Sequence, residues 1–405
     1  MTASLSHDLP LTPPTSHNAS MSFSGRGGDF LRLLITGSLF QIPTFGFYRF
    51  WLITKLRRHL WANTQIDGEA FEYTATAKEL LIGFLIALAV LVPLYIVYFI
   101  LGIMAEEQYA FASVPLVVIT YVLAHYGSYR ARKYRASRTI FRGVRFWMKG
   151  SGWAYAMRAI LWDLATLLTL GLALPWAMAS LERYRMRHTY FGSIQGDFVG
   201  TGWSLFKRGW WVWALGIVLL ALTFFLFVAS DIATGSGKPA LQGLAGVVGL
   251  LIMAPIPLAM AIFTRWHIDG LRFGDVTAAS DFRAGTYYGL FFKLIFSSLG
   301  FLMALGLLAG LIGFLFASFE LVPDMEELSW TAFSVGLLVV LGYLVALLGL
   351  GVLQRYFLGR GLWAAIVTST TVTNLQAVDA AVAAGQPAGV LGEGLADALD
   401  FNVGI

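Results

Sequence analysis

Long apolar runs separated by short basic segments organise this chain. A helix rises about 1.5 Å per residue, so crossing about 30 Å of hydrocarbon takes roughly 20 apolar residues. Residues 80–104, 210–230, 240–263, 294–318 and 330–354 meet that length without a formal charge, and 111–127 is shorter but sufficient. The pattern predicts six full transmembrane helices. Two further apolar runs are interrupted: 33–48 by Pro43 and Gly46, and 159–181 by Asp163, Gly171 and Pro175. The first 22 residues are rich in Ser, Thr and Pro and lack Lys and Arg, the composition of a disordered tail and not of a cleaved leader.

The chain also matches itself. At an offset of 125, Thr44, Gly46, Trp51, Thr64, Thr76 and Leu80 fall on Thr169, Gly171, Trp176, Thr189, Thr201 and Leu205. At an offset of 127, Phe141-Arg142-Gly143-Val144-Arg145-Phe146 falls on Ile268-Asp269-Gly270-Leu271-Arg272-Phe273, and Ile66-Asp67-Gly68 resembles both. Such self-similarity predicts a tandem parallel repeat. The Gly-containing turns between alternating residues predict short β-hairpins at the membrane surface, which would pair into a platform if they share one side. A plain amphipathic loop is the alternative reading of the same residues.

Charge sets the topology. Of the 28 Lys and Arg, 23 fall in five segments, 49–79, 128–153, 181–209, 264–285 and beyond 354. The intervening loops carry Glu106 and Glu107, Asp231 and Lys238, and Glu320, Asp324, Glu326 and Glu327. The positive-inside rule assigns the basic segments and the C-terminus to the cytoplasm. Segment 159–181 joins two basic regions, so it cannot cross once. It and 33–48 are therefore expected to be broken or re-entrant elements turning at Thr44/Gly46 and Thr169/Gly171. The expected fold is an all-α polytopic membrane protein with short cytoplasmic hairpins. Its expected divisions are a disordered tail (1–22), two membrane repeats (23–147 and 148–275), a C-terminal helical hairpin (276–358) and a cytoplasmic tail (359–405).

Composition agrees with the class: 58% of residues are hydrophobic, 13% are charged, and the mean hydropathy is +0.71. There is no cysteine, which excludes disulfides and thiolate chemistry. The net charge of +5 sits beside hydrophobic runs, so it reads as a topology signal and not as a nucleic-acid surface.

Phe23-Ser24-Gly25, Thr44 to Trp51, Asn63-Thr64-Gln65-Ile66-Asp67-Gly68, Leu168-Thr169-Leu170-Gly171 with Pro175-Trp176, Arg183-Tyr184-Arg185, and Gly392-Glu393-Gly394-Leu395-Ala396-Asp397 form a set of motifs along the chain. Together they resemble a known family, the YjgN-like inner-membrane proteins of bacteria, defined as a domain of unknown function. The resemblance implies a multi-pass protein of a bacterial inner membrane and carries over no activity.

Candidate chemistry is sparse. Asp163 is the one carboxylate inside an apolar run, where a charge costs about 2.5–3.5 kcal/mol, so it faces a cavity or, near the interface, pairs with Arg158 or Arg32. Thr44, Gly46, Thr169 and Gly171 stand at the expected breaks, either exposing helix ends to a substrate or allowing close helix packing. Lys293 reads as a snorkelling cation, and Trp51 and Trp176 as interfacial anchors. The histidines form no i, i+4 pair, and no phosphate loop or serine elbow occurs, so no metal, cofactor or enzymatic activity is expected. Two functions remain: a transporter or channel for a small solute or ion, and a scaffold binding a cytoplasmic partner or anionic membrane lipid.

Overall fold

The computed structural model describes residues 18–105, 114–232, 239–318 and 330–398. The three intervening stretches, 106–113, 233–238 and 319–329, with Glu106, Glu107, Glu320, Asp324, Glu326 and Glu327, lie outside the described residues. In chain order the elements are β1 (Asn18–Phe23), α1 (Gly27–Gln41), α2 (Arg49–Ala62), β2 (Thr64–Ile66), β3 (Glu69–Ala70), β4 (Glu72–Tyr73) and α3 (Ala77–Ala105). Next come α4 (Val114–Ser137), β5 (Thr139–Phe141), β6 (Val144–Met148), α5 (Gly152–Leu168), α6 (Leu174–Arg187), β7 (Thr189–Phe191), β8 (Ile194–Phe198) and α7 (Gly202–Ile232). The chain continues through α8 (Pro239–Leu251), α9 (Ile256–Gly270), β9 (Leu271–Phe273), β10 (Val276–Ser280), α10 (Ala284–Ser318) and α11 (Trp330–Gln354). A π-helical turn (Arg355–Gly361) leads into α12 (Leu362–Thr368), β11 (Thr370–Thr373), a 3-10 helix (Leu375–Ala380) and α13 (Leu391–Ala398).

The strands form one sheet in the order β3-β2-β1-β11-β10-β9-β8-β7-β6-β5-β4, with every pairing antiparallel. Its two end strands are separated by Phe71 alone: Ala70 pairs with Gln65 on one side and Glu72 with Ile140 on the other. The sheet therefore closes into a ring. Closure removes both sheet edges, which is why strands of two to six residues persist. The interior is apolar, with Ile66, Phe141, Phe191, Val276 and Val372 meeting at one end, where Leu375 and Val378 of the 3-10 helix fill the opening.

One junction occurs five times around the ring. A helix runs in, a hairpin follows, and a helix runs out, as in α2–β2/β3–α3, α4–β5/β6–α5, α6–β7/β8–α7 and α9–β9/β10–α10. The fifth hairpin is assembled from the two ends of the described chain, α12 leading into β11 and β1 leading into α1. Threonine opens four of the five hairpins, and its hydroxyl donates to the carbonyl four residues back: Thr64 to Leu60 (2.8 Å), Thr139 to Arg135 (3.0 Å), Thr189 to Arg185 (2.8 Å) and Thr370 to Ile366 (2.7 Å). Each satisfies a carbonyl that the helix end leaves open, and a β-branched residue suits the strand that follows.

Five helices are long and apolar enough to cross a membrane among the described residues, 77–103, 202–230, 241–270, 284–318 and 333–368. The third is interrupted: α8 ends in a turn at 252–255, and Pro255 and Pro257 start α9. Between 0% and 22% of each apolar window is buried inside the chain, so these helices present their surfaces to lipid or to partners.

Several expectations need correction. Asn18–Phe23, mostly inside the segment expected to be disordered, is a strand paired on both sides, with Ala19 buried and Ser20 and Ser22 exposed. Residues 359–398, in the segment expected as a cytoplasmic tail, supply α12, β11, the ring plug and α13, with Val372, Leu375, Leu395 and Ala396 buried. The boundaries at 147/148 and 358/359 fall inside β6 and the π-helical turn, and 275/276 splits the β9–β10 hairpin. The match of 141–146 to 268–273 is out of register. Asp269 and Gly270 end α9, and the hairpin turns at Gly274-Asp275, so Leu271, and not Trp266 as an offset of 127 would have it, is the counterpart of Thr139.

Candidate functional site

Inside the ring mouth, where the incoming helices converge, lies a cavity of about 860 Å³. All five incoming helices reach it. Ser128, Tyr129, Arg132, Arg135 and Ala136 recur at helical spacing on one face of α4. Arg185 and Met186 come from α6, His267 from α9, Trp61 from α2, and Leu362, Trp363 and Ile366 from α12. The ring contributes Met21, Phe146, Met148 and Phe273. Among the described residues, the charged side chains lining the cavity are all basic.

Behind this wall Glu182 is almost completely buried on α6. Arg132 Nη2 donates to its Oε1 at 2.9 Å, Arg185 Nη2 approaches Oε2 at 2.6 Å in an ion pair without hydrogen-bond angles, and His267 Nε2 lies 3.9 Å from Oε1. Burial alone would raise the Glu182 pKa, but the charges of Arg132 and Arg185 outweigh it and hold the carboxyl down at about 2. One carboxylate shared by two guanidiniums leaves one positive charge in excess. Arg185 Nε and His267 Nδ1 are buried without a hydrogen-bond partner. Such atoms at a cavity wall are positioned to donate to an anion or an ordered water.

A second buried carboxylate, Glu393 on α13, lies 2.6 Å from Arg57 Nη1, which also donates to the Tyr73 hydroxyl at 3.2 Å. Arg135 Nε is 4.0 Å away. Carboxylates from α6 and α13 thus hold the arginines of α4 in place.

The residues singled out in the sequence lie elsewhere. Asp163 Oδ2 accepts from the Tyr121 hydroxyl at 2.5 Å and lies 3.0 Å from His125 Nε2, so its partners are on α4 and not Arg158 or Arg32. Thr44 and Thr169 occupy matching turns. Thr44 Oγ1 donates to Phe40 O at 2.6 Å and accepts from Tyr48 N at 3.1 Å; Thr169 Oγ1 donates to Ala165 O at 2.8 Å and accepts from Ala173 N at 3.0 Å. Gly46 N donates to Gln41 O and Gly171 N to Thr166 O, with φ of +85° and +87°, closing the left-handed helix ends that glycine permits. These bonds consume the carbonyls that a substrate site would offer. Phe45 and Leu170 at the tips are 93% and 75% exposed. None of the five residues lines the cavity, and no hydrogen bond or ion pair among the described residues joins Asp163 to either turn.

Sequence reasoning missed this site because it counted Arg132, Arg135 and Arg185 as topology signals, with Arg185 also in a family motif, and did not single out Glu182. A local signal existed. Arg135 and Arg185 each stand four residues before a threonine that opens a hairpin.

Fold and helix composition define a helical polytopic membrane protein whose spans rise from a closed β-ring. Residues 18–398 match the family described as bacterial protein of unknown function (DUF898), and the chain belongs to that family. It is similar to inner membrane protein YjgN of Salmonella typhimurium, 24% identical over 147 residues, which cover 36% of this chain and 34% of that one. It is also similar to inner membrane protein YjgN of Escherichia coli strain K12, 27% identical over 143 residues, or 33% of each chain. The alignments thus span about a third of the curated relatives. The family, those relatives and the apolar helices support an inner-membrane location. No solved structure matches the chain.

Proposed function

We propose that this inner-membrane protein binds a small anionic solute in the ring-mouth cavity as part of a transport cycle. The carrying observation is the set of lining charges, Arg132, Arg135 and Arg185 beside His267, at the point where the incoming helices meet. All five basic segments contribute strands to the ring, so the positive-inside rule puts the ring in the cytoplasm. In this reading α1–α2 and α5–α6, with helices of 14 to 17 residues or roughly 21–26 Å, enter the bilayer and return. Helices α3, α4, α7, α10 and α11 and the α8–α9 pair cross it. The five like junctions are then a five-fold repeat, and the α2–β2/β3–α3 and α6–β7/β8–α7 junctions, which match at an offset of 125, are two of its members. Passage to the cytoplasm requires the plug at Leu375 and Val378 to move.

Flux from proteoliposomes tests the reading. Wild-type protein is expected to release an entrapped anion faster than the Arg185→Gln variant. Equal release across a panel of inorganic and organic anions sinks the transport proposal.

One observation favours the scaffold alternative. The spans are largely unburied within the chain, so their outer faces suit lipid or another membrane protein. Crosslinking within spans 284–318 and 333–368 that captures a defined protein in place of lipid, together with absent flux, would select it.

A further inference from the structure

The five junctions are alike in backbone but not in chemistry. Four residues before each hairpin stand Leu60, Arg135, Arg185, His267 and Ile366. In ring order the incoming helices run α2, α12, α9, α6, α4. The three polar members are therefore contiguous, on α9, α6 and α4, and the two apolar members, on α2 and α12, are contiguous across the fifth hairpin. The cavity inherits two walls.

The polar wall carries Arg132, Arg135, Arg185 and His267. The facing wall is apolar over its whole length: Leu358, Gly359, Leu362, Trp363, Ile366 and Val367 fall on one helical face. Trp363 adds no free polar atom to it. Its Nε1 donates to Thr64 Oγ1 at 2.9 Å, and its ring stacks on Trp61 at 4.7 Å between centroids. Met21, Met148 and Met186 extend the cavity with flexible thioethers that adapt to hydrocarbon. A volume of about 860 Å³ falls in the range of roughly 300–1,000 Å³ typical of small-molecule sites.

A small hydrophilic anion satisfies one wall and leaves the other against water. We propose that the ligand is an amphiphilic anion, its phosphate or carboxylate held by Arg132, Arg135 and Arg185 and its hydrocarbon chain lying on Leu358, Leu362, Trp363 and Ile366. This inference rests on the anion-site reading above and narrows it. A membrane lipid and a water-soluble amphiphile share this chemistry.

The test uses the full chain in nanodiscs of zwitterionic lipid, titrated by calorimetry with inorganic phosphate and with n-octyl phosphate. Octyl phosphate is expected to bind tighter by roughly tenfold or more, since each buried methylene adds free energy. Arg185→Gln should weaken it by at least about tenfold, while Arg185→Lys, which keeps the charge, restores most of the binding. Leu362→Asn should erase the difference between the two ligands. Equal affinities for phosphate and octyl phosphate in the wild type overturn the amphiphile and leave the anion site standing. If neither ligand binds in a manner sensitive to Arg185→Gln, both readings fall. Mass spectrometry of lipid retained by wild type and Arg185→Gln separates the sources: an acidic lipid depleted in the variant identifies the bilayer, and unchanged lipid identifies a soluble amphiphile.

Discussion

Gly83 on α3 and Gly394 on α13 meet backbone to backbone, so that a Cβ on Gly394 would overlap the Gly83 carbonyl. This contact lets α13 wedge between α3 and α4, where Leu395 packs on Ala87 and Leu91 and lies beside Gly127, and Glu393 reaches Arg57. Gly394→Val is therefore expected to expel α13, at a cost above the roughly 1–3 kcal/mol of ordinary overpacking because Glu393 is withdrawn from Arg57 as well. Limited proteolysis should then cut within 381–398 at protease levels that spare the wild type. Unchanged digestion would mean that the wedge is dispensable.

Glu182 makes the fold sensitive to acid. Its folded pKa of about 2 lies below the ordinary 4.5, so its ionised form stabilises the protein fully above pH 4.5, and that stability is lost as pH falls toward 2. The shift corresponds to about 3 kcal/mol. The melting temperature in detergent is expected to fall over that window in the wild type and to change much less in Glu182→Gln, which starts lower at neutral pH.

Asp163 and the cavity should separate functionally. Tyr155 lines the cavity, and Asp163 lies eight residues further along the same helix, about 12 Å away. Asp163→Asn keeps an oxygen that can accept from Tyr121 and is expected to leave anion binding intact. Loss of calorimetric binding in that variant would couple the Tyr121–His125–Asp163 cluster to the site.

The two matching turns should respond alike. Gly46→Ala and Gly171→Ala place a Cβ at positive φ, at about 1–2 kcal/mol each. Thr44→Val and Thr169→Val remove the hydroxyls that cap the following helices, at about 1 kcal/mol each. Unfolding in mixed micelles measures all four, and a large inequality between partners would show that one turn does more than reverse the chain.

Topology can be read with single cysteines because the chain has none of its own. A cysteine replacing exposed Gln195 on β8 should react with an impermeant maleimide only from the cytoplasmic side. One replacing Phe45 at the α1–α2 tip should react from neither side, being within lipid. Labelling of the Phe45 position from outside would convert the short hairpin into a true crossing.

The membrane class was legible because runs such as 294–318 are apolar on all sides, which only lipid tolerates. The turns at Thr44 and Thr169 were legible from paired threonine and glycine, although the sequence did not reveal that their bonds are already satisfied. The ring was only half visible. Asp67-Gly68 and Arg142-Gly143 announce tight turns, whereas β1 and β11 have no turn between them and lie in segments whose composition suggested tails. The cavity was invisible for a related reason: Arg132 and Arg185 are 53 positions apart and come together only through Glu182, an ordinary surface residue by composition.

The fifth hairpin places a constraint on biogenesis. Asn18 pairs with Thr373, so β1 must wait for a strand made about 350 residues later. Until then β1 and β10 each keep an open hydrogen-bonding edge beside a growing set of membrane helices. Ring closure is thus a late, long-range event in synthesis, and the inner surface of the cavity exists only once translation has reached its final helices. A ribosome stalled before residue 370 would hold an open fan of hairpins with no enclosed site.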